Sequence, residues 1–142
     1  MNFISTKVMD GYSTCFRYHN SEDESQLLHG TDIKFKFYFE GDLDNRNWVV
    51  DFGIFKRTNH TIIQMQPKEF LSYLFDHTVL ISEDDPYKEK FKELDKLGVI
   101  QLRIFPSTTP EGIKSYLFPF IDELVRKETG NRAYLKDLEV IL

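Results

Sequence analysis

Cysteine is almost missing from this chain. A single thiol, Cys15, among 142 residues excludes an intrachain disulfide framework and fits a reducing, cytoplasmic setting. No run of about 18 apolar residues occurs, so no membrane-spanning helix is expected. The opening "MNFISTKVMDG" lacks the basic-then-apolar order of a signal peptide. Positive charge is in deficit, with 18 Lys and Arg against 23 Asp and Glu and a net charge of −5. That balance disfavours a nucleic-acid partner, whose phosphates require a basic surface. A glycine-rich phosphate loop, a Cys-x-x-Cys pair and a Gly-x-Ser-x-Gly elbow are absent too. So are repeats, low-complexity tracts and linkers, which leaves one soluble acidic domain, residues 1–142.

Aromatic residues, by contrast, are plentiful: 13 Phe and 7 Tyr. Such density suits sheets and interfaces, where large flat side chains bury area efficiently. Residues 31–39, "TDIKFKFYF", alternate strictly, with Thr31, Ile33, Phe35, Phe37 and Phe39 on one face. That period of two predicts a half-buried strand. Residues 5–19 read more weakly as strand, with Gly11 at a bulge, and "EGDLDNRN" (40–47) is turn chemistry. Asp51 is placed to cap a helix starting at Phe52, and 58–66 break that pattern.

A clearer helix begins at Pro67, with Phe70, Leu71, Leu74 and Phe75 as its apolar stripe. A further helix is expected from Pro86 to Leu97, capped by Asp85 and stopped by Gly98, with Phe91, Leu94 and Leu97 turned inward. "VIQLRIF" (99–105) reads as strand. The most periodic helix carries Ile113, Tyr116, Leu117, Phe120, Ile121, Leu124 and Val125 on one face. Pro119 should kink or split it. "YLKDLEVIL" closes the chain as a strand. The order β-β-α-(α)-β-α-β predicts an α+β two-layer domain whose sheet has exposed edges and an open face, which self-association would cover.

Several polar constellations invite chemistry. In "HNSEDESQLLHGTD", His19 and His29 stand ten residues apart. His29 shares a strand face with Thr31, and strand positions i and i+2 often supply two ligands to one metal. Glu22, Asp23 and Glu24 are the nearby carboxylates. Taken alone, polar residues on a loop and a strand end explain this stretch more simply. In "FDHT", Asp76 can orient His77 for acid–base work, although ordinary residues at a helix end would look the same. "TTPEGI" explains itself as a helix start: Thr109 as cap, Pro110 at the first position, Glu111 in the first turn. Cys15 reads as packed within a strand, His60 as a solvated loop residue, and the charged helix 86–97 as a solvated face.

The order of these pieces carries more than any one of them. "FRYH", "LLHGTD", "NWVVDFGIFK", "FDHT" and "STTPEGIKSYLF" together resemble the 6-pyruvoyl-tetrahydropterin synthase family, including its 6-carboxy-tetrahydropterin members, from about Phe16 to the last strand. The resemblance implies a T-fold: a four-stranded antiparallel sheet with helices on one face, assembled into barrels, usually as hexamers. It implies a carbon–oxygen lyase acting on 7,8-dihydroneopterin triphosphate, on a route to pterins or deazapurines such as queuosine. It also implies zinc held by histidines and a pterin or purine-like ligand, with neither nucleic acid nor membrane involved.

Residue by residue, His19 and His29 match zinc ligands, Asp76 and His77 the proton-relay pair, and Thr109 and Glu111 positions near the pterin. Thr31 stands where the family has its third histidine, and Ser25 where it has a catalytic cysteine. A carboxylate from Glu22, Asp23 or Glu24 is the stand-in ligand that the loop offers. The glutamate that anchors the pterin in the family would lie just beyond Leu142, and Glu128 does not replace it. The alternative reading is a noncatalytic T-fold protein that binds a pterin or purine, or an oligomeric interaction module.

Overall fold

The computed structural model of the chain describes residues 2–57 and 64–142. Five strands and three helices follow in the order β1 (Phe3–Phe16), β2 (His29–Gly41), α1 (Pro67–Phe75), β3 (Thr78–Ser82), α2 (Lys88–Lys96), β4 (Leu102–Phe105), α3 (Pro110–Glu128) and β5 (Ala133–Ile141). Short 3-10 turns occupy Glu24–Gln26 and Phe52–Lys56. Among the described residues no helix is long and apolar enough to cross a membrane.

The alternating run behaves as expected. Ile33, Phe35, Phe37 and Phe39 of β2 are all fully buried, each such side chain contributing about 1.5–3 kcal/mol relative to exposure. Phe35 packs on Phe75 of α1 at 4.7 Å between ring centroids, and Phe37 on Phe55 at 5.4 Å. The stripe of α3 (Ile113, Leu117, Ile121, Leu124 and Val125) is buried as well. Gly11 marks the bulge, for the β1–β2 register shifts between Met9 and Tyr12 and Gly11 has φ +88°. Gly98, at φ +78°, stops α2.

Four expectations change. The sheet has five strands, in the order β4-β3-β1-β2-β5, not four. It is mixed, because β1–β3 and β3–β4 run parallel. The extra strand is "TVLIS", an apolar run too short to separate from the stripe of α1 by periodicity alone. All five of its residues are buried; Val79 and Ile81 point away from the face that α1 and α3 cover, which is how a strand with both sides covered reads. The α2 stripe is not inward: no α2 residue is buried, and Leu97, just past its end, is 76% exposed. The segment after Asp51 is a 3-10 turn, although Asp51 does cap it through Gly53 N–H at 2.8 Å. Finally, Pro119 does not split α3. It lies on the exposed side, where water can take the carbonyl that its missing N–H leaves free.

Pairing also leaves an edge. The first half of β1, Phe3 to Tyr12, pairs with β2 on one side, and β3 joins the other side only at Thr14–Phe16. That join is what aligns the polar residues of the site.

Candidate functional site

Where β1 ends, the chain turns through Arg17, Tyr18 and His19 toward the start of α3. Thr108, almost wholly buried, donates its hydroxyl to the Arg17 carbonyl at 2.8 Å. This single long-range bond fastens the β1 end to the α3 start. Thr109 then caps α3, its Oγ1 accepting Gly112 N–H at 3.1 Å, with the Ser107 hydroxyl 2.9 Å away. Gly112 is required by this packing, since a Cβ there would fall 2.5 Å from Ser107 Cβ and 2.6 Å from its carbonyl oxygen.

Tyr18 gathers most of the residues singled out from sequence. Its N–H donates to the Ser25 carbonyl at 2.9 Å. Its ring meets His29 edge-on at 6.4 Å, while Phe16 packs at a tilt against both, 5.3 Å from Tyr18 and 4.6 Å from His29. Burial, and then the charge of Glu111, push the Tyr18 phenol above its ordinary range. His19 lines a small cleft of about 110 Å³ with Tyr18, Asn20, Asp84 and Thr109. Its Nε2 lies 3.0 Å from Asp84 Oδ1. His29 donates from Nδ1 to the Leu27 carbonyl at 2.8 Å. Ser25 is bound to its own loop: Asp23 Oδ1 accepts its N–H at 2.8 Å. Interactions with Ser21, which contributes most, and with Ser25 hold the Asp23 carboxyl below its usual range.

Asp76 and His77 form a second group. They sit beside Ser13 of β1, whereas His29 pairs with Phe16, three residues further on. Neither lines the His19 cleft. Asp76 Oδ1 accepts the Ser13 N–H at 3.1 Å and lies 3.2 Å from His77 Nδ1. His77 has φ +57°, an unusual backbone for a residue with a Cβ. Two contacts impose it: His77 N–H donates to Ser13 O at 2.6 Å, and Gln101 Nε2 donates to the His77 carbonyl at 3.1 Å. The imidazole itself is 79% exposed. A strained, clamped backbone that presents an exposed base is the kind of outlier that clusters at functional sites.

The donor set does not fit a metal as it stands. Among the described residues no three His, Cys, Asp or Glu side chains form a group able to hold one. His19 is engaged by Asp84, and Thr31 Oγ1 donates at 3.3 Å to the carbonyl of Asp32. His60 lies outside the described residues. Cys15 is half-buried on the sheet face opposite Phe16, with its Sγ near Gly30.

Sequence reasoning passed over Tyr18, Asp84 and the Arg17–Asp85 pair. Arg17 Nε lies 3.1 Å from Asp85 Oδ2 in a site where the Asp85 side chain is wholly buried. The N–H does not aim at that oxygen, so the contact is a charge pair without a hydrogen bond. "FRYH" was informative for its histidine alone, and Asp85 looked only like a helix cap. It is not the cap: α2 starts at Lys88 after Tyr87, not at Pro86, and Asp85 instead accepts the Tyr87 N–H at 2.9 Å in the turn before the helix.

The fold and site define a class: an α+β protein whose polar residues converge where β1, β3 and the start of α3 meet. The family model for 6-pyruvoyl tetrahydropterin synthase matches residues 5–141. The chain belongs to that family. No curated protein matches it significantly. Among solved structures, an uncharacterized protein of Wolinella succinogenes is similar over 99% of this chain and 93% of its own, at TM-score 0.76 and 18% identity. The 6-pyruvoyltetrahydropterin synthase of Plasmodium vivax, as a variant of a catalytic residue, gives TM-score 0.57 at 14% identity over 97% and 90% of the two chains. That of Plasmodium falciparum gives TM-score 0.57 at 14% identity over 96% and 89%. At such identities the likeness concerns the fold.

Proposed function

We propose that this chain acts on 7,8-dihydroneopterin triphosphate or a close dihydropterin relative, as a carbon–oxygen lyase. The observation that carries this reading is the Asp76–His77 pair, held in a costly backbone conformation and open to solvent. With a carboxylate oxygen beside Nδ1, the ring proton is favoured there and the lone pair on Nε2 is the basic atom. That atom takes a proton from a side-chain carbon of the substrate. The C–O bond to the triphosphate then breaks, and the leaving group departs with the bonding electrons. Thr109 and Glu111 are the polar contacts proposed for the ligand; because the Thr109 cleft stands apart from Asp76–His77 within one chain, a neighbouring copy of the chain must bring the two groups together. Incubating the protein with 7,8-dihydroneopterin triphosphate, with and without zinc, tests this. Elimination of triphosphate supports it, and no turnover under either condition overturns it.

A second reading is favoured by Ser25 and Thr31: a pterin or purine binder that does not turn over. Serine is a poor base beside a cysteine thiolate, and here Ser25 is held in its loop by its N–H bond to Asp23. Pterin binding without elimination would select this reading. Self-association, as a hexamer, belongs to either. The unpaired edge of β1 and the exposed Phe3, Ile4 and Val8 support it, and the molar mass in solution measures it.

Zinc enters as a test of the donor set. When bound, it would act as a Lewis acid toward substrate oxygens. Thr31 shares the strand face of His29, so Thr31→His sets two imidazoles at i and i+2. The variant is expected to retain at least about tenfold more zinc than the parent at equal free metal. Equal retention would show that residues 29 and 31 do not form half of a metal site.

A further inference from the structure

Three lysines line a cleft of about 230 Å³ that shares no lining residue with the His19 cleft. Lys7 comes from β1, Lys56 from the end of the 3-10 turn, and Lys68 from the first turn of α1. Phe52, Phe55 and Tyr12 line the cleft too. Asp10 is its one acidic lining residue among those described. Among the described residues, none of the three ammonium groups has a carboxylate within ion-pairing distance, whereas Lys88, Lys114 and Lys136 each have one at 2.8 Å or less.

Lys7 is the informative member. It pairs with Phe37, whose side chain is wholly buried, and lies on the same side of the sheet as Ser5 and Met9, the side that α1 and α3 cover. A half-buried cation there loses hydration without gaining a counter-charge. Among the described residues its Nζ lies over the Phe52 ring, 5.7 Å from the centroid, a contact that does not replace a counter-charge. An inward-facing lysine can also guard an open strand edge against pairing, but that role asks nothing of Lys56 and Lys68. Three cations without a carboxylate partner among the described residues line one cleft, an arrangement that asks for an anion.

We propose that this cleft binds the phosphate chain of a phosphorylated small molecule. Lys7 is the anchor at its floor, and Lys56 and Lys68 close on the chain from the rim. Phe52 also lines a larger, mainly apolar cleft of about 620 Å³ formed with Leu43, Trp48 and Val50. Tyr12, which also lines the lysine cleft, is buried, and its phenol is pushed up to about 12 by that burial and then by the charges of Asp10 and Asp76. The identity of the natural ligand rests on the pterin triphosphate reading. The cleft itself does not.

Inorganic tripolyphosphate, which carries no pterin, is the probe. Calorimetric titration of the full chain at low ionic strength should show saturable binding that weakens with added salt. Lys7→Met should weaken it at least tenfold, Lys56→Gln and Lys68→Gln each severalfold, and Lys7→Arg should retain it. Lys90→Gln, on the exposed face of α2, is the control and should bind as the parent does. Circular dichroism establishes that each variant is folded, and if Lys7→Met is not, Lys56→Gln and Lys68→Gln decide. Absence of saturable binding, or loss matched by the α2 control, overturns the proposal. So does full binding by Lys7→Met with a changed oligomeric state, which would make Lys7 an edge guard. Tripolyphosphate binding without pterin turnover would uphold the cleft while the lyase reading fails.

Discussion

His77→Gly should lower turnover by orders of magnitude and at the same time stabilise the protein. The left-handed backbone at His77 costs a residue with a Cβ about 1–2 kcal/mol, a cost that glycine escapes. The side chain is mostly exposed, so little packing is lost with it. Greater backbone freedom in the unfolded glycine chain offsets part of the gain, so a small rise in the unfolding midpoint is expected. Loss of a positioned general base lowers turnover by about 10²–10⁴-fold. His77→Asn, which tolerates the same backbone, separates chemistry from strain: turnover should fall as far, with the midpoint nearly unchanged. Turnover retained by His77→Asn would remove the imidazole from the mechanism. A fall in midpoint for His77→Gly would show that the imidazole, not the two backbone bonds, holds that turn.

Asp85→Ala should be the most destabilising single change near the site, by about 3–5 kcal/mol. It removes the counter-charge of Arg17, whose side chain is only 15% exposed. The acceptor for Tyr87 N–H goes with it. Breaking a buried pair strands the remaining ion, whereas removing both ions together does not. Arg17→Met combined with Asp85→Leu should therefore recover much of the loss. Denaturant unfolding of the two singles and the double gives the coupling. Additive losses would show that the two charges do not depend on one another. Because Arg17 precedes Tyr18 and Asp85 follows Asp84, Asp85→Ala should also disturb the His19–Asp84 contact, read from the titration of the His19 ring by NMR.

The expected effects differ in kind because the two residues were legible to different degrees. Asp76 and His77 stood out as adjacent polar residues after an apolar stripe. Their place between the end of α1 and the start of β3 was legible as well, whereas the backbone of His77 is set by the distant Ser13 and Gln101. Arg17 and Asp85 are 68 positions apart, and nothing local in either segment announces the other. Tyr18 was hidden differently: it looked like one more aromatic in a chain rich in them, and only its neighbours make it a hub. The misplaced stripe of α2 has a plain cause. Spacing says which residues share a helix face, but not whether the fold supplies something for that face to pack against.

The sequence alone determined the alternating core of β2, the buried stripes of α1 and α3, the bulge at Gly11, the caps at Asp51 and Thr109, and the family. Each is written in local order, through periods of two or 3.6 residues and residue-specific backbone preferences, and so survives without knowledge of the rest of the chain. Only the tertiary structure decided that β3 enters the sheet parallel to β1, that Tyr18 collects His29, Ser25 and Glu111, that the Asp76–His77 pair stands apart from them, and that three lysines share one cleft. Those facts depend on which distant segments pair. Pairing is chosen by the burial of the whole chain, not by any short stretch of it.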